Sequence, residues 1–129
     1  MKAMLPREKV LLYHLGGDSE KGKQLREELE KMKIPWREIV PSQLSLTVGE
    51  LTGGTAPDGE YQGEEPPCEL MVLCGFSGNR MDRFLNTLSS RKIGIELKAV
   101  LTARNREWTV LELIRELQKE KEQIEGNQT

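Results

Sequence analysis

Only two cysteines, Cys68 and Cys74, and one histidine, His14, occur among the 129 residues. Two thiols in one strand-like segment make no disulfide framework and cannot bridge without folding that segment back, so both read as free. A lone imidazole leaves no histidine pair for a metal, and neither a metal site nor a cofactor is expected. His14 stands at a strand end, where a general acid or base could sit. No nucleophile or carboxylate partner lies near it in sequence, so a partly exposed ring is the plainer reading and no catalytic residue is assigned. An excess of either charge is missing too, with 19 basic against 21 acidic residues. That balance lacks the basic field nucleic-acid binding needs, and nucleic acid is not an expected partner. No apolar run approaches the roughly 20 residues that span a bilayer. Met1-Lys2-Ala3-Met4-Leu5-Pro6 has no apolar stretch of a secretory signal, so a cytoplasmic chain without a membrane partner is expected. Composition leaves the oligomeric state open.

What the chain does contain is a phrase used twice. Leu46-Thr47-Val48-Gly49-Glu50-Leu51 returns as Trp108-Thr109-Val110-Leu111-Glu112-Leu113. Ahead of it, Gly16 aligns with Gly75, Leu25 with Phe84, Leu29 with Leu88, Lys33 with Lys92 and Ile34 with Ile93, a constant offset of 59 (16 to 75). At the phrase the offset is 62 (47 to 109), so the second copy carries three extra residues, expected just before the phrase. This pattern reads as a tandem duplicated βαβα unit, each copy burying its apolar side against the other. One domain is expected over 1–129, because two separate cores of about 60 residues would each be marginal. Its parts are a first repeat at about 9–52, a flexible linker at about 53–68, a second repeat at about 69–124 and a polar tail at 125–129.

Lys9-Val10-Leu11-Leu12-Tyr13-His14-Leu15 is nearly continuous in apolar residues and ends at Gly16-Gly17, as a strand covered on both faces does. A helix capped by Asp18 or Ser19 follows, with Leu25, Leu29 and Met32 at helical spacing, and Ile34-Pro35 stops it. Trp36-Arg37-Glu38-Ile39-Val40 mixes charge into a β-type run, which suits a sheet edge. In the second copy Leu70-Met71-Val72-Leu73-Cys74 is wholly apolar, and Met81, Phe84, Leu85 and Leu88 form a helical stripe. Ile95, Leu97, Ala99 and Leu101 alternate with Glu96, Lys98 and Val100, again an edge strand with one buried face.

Each repeated phrase is a capping box. The Thr47 or Thr109 hydroxyl accepts the N–H three residues on while Glu50 or Glu112 reaches back, and Leu46 or Trp108 staples onto Leu51 or Leu113. The first of these helices aborts at Gly53-Gly54; the second continues through Val110, Leu113, Ile114, Leu117 and Ile124. Gly53 to Pro67 is rich in glycine, proline and acid and is expected to be mobile, with Tyr61 its one anchor should it act as a lid.

Two apolar first strands and two mixed second strands predict an α/β fold with one four-stranded sheet in the order 2-1-3-4, flanked by helices. If all strands are parallel, the two main helices take opposite faces, and the turns at Gly16-Gly17 and Gly75-Phe76-Ser77-Gly78 line one switch-point crevice. If strands one and three are antiparallel, both helices share a face and no crevice forms.

Cys74-Gly75-Phe76-Ser77 resembles the four-residue signature of monothiol glutaredoxins, which implies a reactive Cys74. The Thr-Val-Pro and Gly-Gly segments that complete a glutathione site in that family are absent here, and a buried cysteine acting as a small hydrophobe is the alternative. The segment 96–109 is densest in polar residues with a potential task. Lys98 projects from the mixed strand, Thr102 and Asn105 lie in the expected longer loop, and Arg104 and Arg106 flank a helix N-terminus as an anion seat would. A turn built by Thr102 and Asn105 with solvated arginines is the competing reading.

Leu73-Cys74-Gly75-Phe76-Ser77, together with Lys98-Ala99-Val100-x-Thr102-x-x-Asn105-x-x-Trp108, resembles a bacterial domain family of unknown function over about 70–120. The resemblance implies a small cytoplasmic α/β protein loosely associated with amino-acid metabolism, and supplies no catalytic residues. The functional expectation is a non-enzymatic binding or regulatory module for a small anionic or amino-acid-like ligand, touched by Gly75, Ser77, Lys98, Thr102 and Asn105. Its alternatives are a thiol-redox protein using Cys74 and an interaction module docking through its last helix.

Overall fold

Leu70–Cys74 is buried at every position because it runs through the middle of a sheet, with β1 (Lys9–Tyr13) on one side and β4 (Leu97–Val100) on the other. It is β3 of a computed structural model that describes residues 8–53 and 57–126. The chain passes through β1, α1 (Glu20–Lys31), β2 (Trp36–Glu38), a 3-10 turn (Pro41–Gln43) and α2 (Val48–Leu51). The same order then recurs as β3, α3 (Gly78–Ser90), β4, a 3-10 turn (Asn105–Glu107) and α4 (Val110–Gly126). The sheet order is β2-β1-β3-β4, as the apolar and mixed strands predict. Among the described residues no helix is long and apolar enough to cross a membrane. The Met1–Pro6 start, 54–56 of the linker and 127–129 of the tail lie outside the described residues. The tail expected from 125 begins inside α4, which runs to Gly126.

The sense of the central strands, open in the sequence, is antiparallel. β1 pairs β2 in parallel, β3 pairs β4 in parallel, and β1 meets β3 head to tail. The β1–β3 register is symmetric about Leu11 opposite Val72, with Lys9 opposite Cys74 and Tyr13 opposite Leu70. Two parallel crossovers of the same hand, set in opposite directions, put α1 and α3 on one face. There Leu25 and Leu29 of α1 and Phe84 and Leu88 of α3 are buried with Val10, Leu12, Met71 and Leu73. Full burial of one such side chain contributes about 1.5–3 kcal/mol. The opposite face carries Leu11, Tyr13, Leu70, Val72 and Cys74 under α2 and α4, with Val48, Leu51, Val110, Leu113 and Ile114. The turns after β1 and β3 therefore sit at opposite ends of the sheet, and the switch-point crevice of the all-parallel arrangement does not form.

Helices α1 and α3 end the same way. Lys33 (φ 58°) and Lys92 (φ 59°) are left-handed, and the next N–H reaches back, Ile34 to Leu29 O at 2.8 Å and Ile93 to Leu88 O at 2.9 Å. These are Schellman closures, each driving an isoleucine into the core. The three extra residues of the second half lie just beyond. Trp36 stands opposite Val10 and Lys98 opposite Met71, so Pro35 in the first half is answered by Gly94-Ile95-Glu96-Leu97 in the second. From there to the repeated phrase the halves keep step, Val40 N–H donating to Gln43 Oε1 and Thr102 N–H to Asn105 Oδ1. The extra residues thus lengthen the helix-to-strand connection and not the loop holding Thr102 and Asn105. Ile95, freed from the strand, packs on the α1/α3 side instead of sharing a face with Leu97.

The described part of the linker is coil, yet it is tied down. Gln43 Nε2 donates to Pro57 O at 3.1 Å, Tyr61 N–H to Ser42 O at 3.0 Å and Tyr13 Oη to Pro66 O at 2.8 Å. Gly59 lies so close over Ser42 that a Cβ there would meet its carbonyl. Donors from the folded body reach a segment too poor in apolar residues to hold itself.

Candidate functional site

Alternation along β4 sends Leu97 and Ala99 toward α4, so Lys98 projects to the α3 side, as does Met71 across from it. Being an edge strand, β4 leaves that face open, and Lys98 is exposed. The end of α3 closes the other wall. Leu85, Leu88 and Ser89 of its last turns, with Lys92, Ile93 and Gly94 of the following connection, enclose with Lys98 a cleft of about 270 Å³. Its floor is apolar, its charged groups are two ammonium ions, and no carboxylate lines it. At the matching position of the first half, opposite Val10, stands Trp36, packed against the α1/α3 core. The halves thus differ where the cleft lies, with Lys98 for Trp36 and three more residues in the connection.

Thr102 and Asn105 occupy a different groove, of about 290 Å³, between β4 and α4, whose wall also takes in Lys98, Trp108, Glu116 and Glu120. Their polar atoms are turned on each other. Thr102 N–H donates to Asn105 Oδ1 at 2.8 Å, Asn105 N–H to Thr102 Oγ1 at 3.0 Å, and Asn105 Nδ2 to Val100 O at 3.0 Å. This reciprocal turn matches the competing reading, and it spends the capacity a ligand would use. Arg104 lies over the Trp108 ring, 5.6 Å from its centre, while the Arg106 carbonyl rests on α2 at Gly49.

Gly75 and Ser77 lie at the start of α3, a helix of 13 residues, about 20 Å by its rise from the end that walls the cleft. Gly75 takes φ 72° and Ser77 caps the helix, accepting from Arg80 N–H at 3.3 Å. Neither lines either groove. Of the five residues assigned from sequence, Lys98 borders both grooves, Thr102 and Asn105 share the second, and Gly75 and Ser77 stand apart. Lys92 escaped the sequence reading, although the offset change beside it was the available signal.

Cys74 is 3% exposed at the end of β3, next to Lys9 on β1. Burial pushes its thiol up to about 11, with the Lys9 ammonium pulling weakly the other way. A sealed thiol with a raised pKa supplies no thiolate for attack on a disulfide, so the glutaredoxin-like segment here is a strand end and a turn. Burial also raises Cys68. His14, with φ 58°, stacks on Tyr13 and stands 3.9 Å from a Glu65 carboxylate oxygen. Among the described residues no group of His, Cys, Asp and Glu could hold a metal ion.

Residues 69–124 match the family model described as a domain of unknown function (DUF3783). No curated protein and no solved structure matches the chain. The matched domain is the half that carries the cleft.

Proposed function

We propose that the chain is a non-enzymatic binding module of the cytoplasm, a duplicated βαβα unit in which only the second copy keeps a ligand cleft. The ligand is a small anion with a short apolar body, the chemistry of an aliphatic carboxylate. Lys92 and Lys98 take its charge, and Leu85, Leu88 and Ile93 take its hydrocarbon. One observation carries this reading: two lysines share an apolar cleft without a carboxylate, where the first half puts a tryptophan. A carboxylate desolvated on such a floor would draw more from each ammonium than it could in water. The cleft volume of about 270 Å³ lies just under the usual range of ligand sites, which restricts the occupant to a small molecule. The implied association with amino-acid metabolism makes carboxylates derived from branched amino acids the first to try.

The test is a nuclear magnetic resonance titration of the whole chain with a branched short-chain carboxylate, its uncharged amide and inorganic phosphate. The carboxylate is expected to shift the amides of Leu88, Ile93 and Gly94, and the amide analogue is not. Lys98→Ala should weaken binding about tenfold, the effect of one charge-assisted hydrogen bond. Lys98→Trp, which copies the first half, should abolish it. Shifts equal for carboxylate and amide, or none with any of the three, would remove the reading.

A further inference from the structure

Helix α4 outlasts the core beneath it. Val110, Leu113 and Ile114 of its first turns are buried, Leu117 is half-buried, and Ile124 on the same stripe is 59% exposed. Its counterpart α2 stops after Leu51, so the first half has no such extension. Between the distal half of α4 and the β4 edge runs a trough of about 500 Å³, with Leu97, Leu117 and Ile124 as its apolar part and Glu96, Lys98, Glu120 and Lys121 around them. Strand addition along β4 is obstructed at its C-terminal end. Leu97 and Leu101 donate inward to Glu69 O and Leu73 O, which turns Lys98 and Val100 outward, and the Val100 carbonyl is taken by Asn105. The open face therefore asks for a helix.

The sequence of α4 says which one. Reflected about the midpoint between Glu120 and Lys121, Leu117 falls opposite Ile124, Gln118 opposite Gln123, Lys119 opposite Glu122 and Glu120 opposite Lys121. Within 117–124 each like-with-like pair is apolar or neutral and each charged pair is of opposite sign, while the next pair outward, Glu116 with Glu125, sets the limit of the complementary patch. A two-fold interface requires one patch to complement itself under reversal, and an antiparallel helix pair performs that reversal. Residues 117, 120, 121 and 124 also share a helix face.

We propose that a second copy of this chain covers the trough, through an antiparallel α4–α4 contact centred between Glu120 and Lys121. Leu117 of each copy meets Ile124 of the other, and two Glu120–Lys121 pairs close the middle. The trough shares Lys98 with the anion cleft but neither Lys121 nor Ile124, so substitutions at those two positions test this interface apart from the cleft.

Sedimentation velocity on the full chain over a concentration series tests the proposal, with circular dichroism verifying the fold of each variant. The wild type should show a monomer–dimer equilibrium that weakens with salt. Lys121→Glu, which brings carboxylates together at the centre, should weaken the dimer at least about tenfold. The double exchange Glu120→Lys with Lys121→Glu keeps the charges complementary and should restore it. Ile124→Glu should leave a folded monomer. A wild type monomeric throughout overturns the proposal and leaves the trough to some other occupant, and a dimer indifferent to Lys121→Glu and Ile124→Glu overturns it as well.

Discussion

Thr47 and Thr109 face each other across an antiparallel bridge, and each caps the helix that it precedes. Val48 N–H donates to Trp108 O at 2.9 Å and Val110 N–H to Leu46 O at 3.0 Å, so the two copies of the repeated phrase are paired with each other. The bridge lies on the side of the sheet where α2 and α4 begin. Two helix starts are thus fixed by one contact, and the capping carboxylates stand close to it.

These caps make the fold sensitive to acid. The Thr47 N–H holds the Glu50 carboxyl below its ordinary 4.5, and the Thr109 N–H does the same for Glu112. A carboxyl whose pKa is lower folded than unfolded adds stability above the unfolded value and loses it as pH falls through the folded one. Urea midpoints should therefore hold near neutral pH and decline below 4.5, with Glu112→Gln flattening the decline. Thr109→Ala should lower stability by about 1 kcal/mol at neutral pH.

Gly22, inside α1, is required for a close approach. A Cβ there would run into the Gly16 carbonyl, whereas one at Gly78 of α3 meets nothing within 4 Å. Replacing an exposed helix glycine with alanine ordinarily gains up to about 1 kcal/mol. Gly22→Ala should reverse that sign and destabilise by about 1–3 kcal/mol in denaturant titration, since backbone has to move. Gly78→Ala should be neutral or mildly stabilising.

Tyr13 fastens the linker from beneath. Burial raises its phenol to about 12, so the hydroxyl stays protonated and donates to Pro66 O. Tyr13→Phe should cost about 1 kcal/mol, and limited proteolysis should cut 57–67 sooner than in the wild type. Unchanged cleavage would mean that Tyr61 and Gln43 suffice as ties.

Cys74 should be inert while the chain is folded. With its thiol near 11 and its side chain sealed, a disulfide reagent at mild alkaline pH should label it only after denaturant is added. Fast labelling of the native chain at Cys74 would revive a thiol chemistry.

Several features were legible from residue order because they are local. Ser19 and the two Thr-x-x-Glu boxes declare helix starts, and the stripe Phe84, Leu88 declares a buried face. The contrast between Leu70-Met71-Val72-Leu73-Cys74 and Trp36-Arg37-Glu38 separates a central strand from an edge, which suffices for the order β2-β1-β3-β4. Lys98 was legible as an outward lysine on an edge strand. Its companion Lys92 was not, since a left-handed residue after a helix looks like any polar turn. The ties on 57–67 were not legible, because they come from Ser42, Gln43 and Tyr13, none adjacent in sequence.

Alternating and helical spacing of apolar residues, with capping chemistry, determined the elements, their order in the sheet and the two self-matching phrases; these depend on neighbours a few positions apart. The sense in which β1 meets β3, and with it the faces of α1 and α3, was decided only in three dimensions. Apolar strands such as these read alike in either sense, and in the fold the antiparallel sense goes with the packing of two helices on each face and with the Thr47–Thr109 bridge. That choice set the Gly16-Gly17 and Gly75-Ser77 turns at opposite ends of the sheet, while the distance of Gly75 and Ser77 from Lys98 belongs to the β3-α3-β4 unit itself, where Lys98 pairs with Met71 near the start of β3.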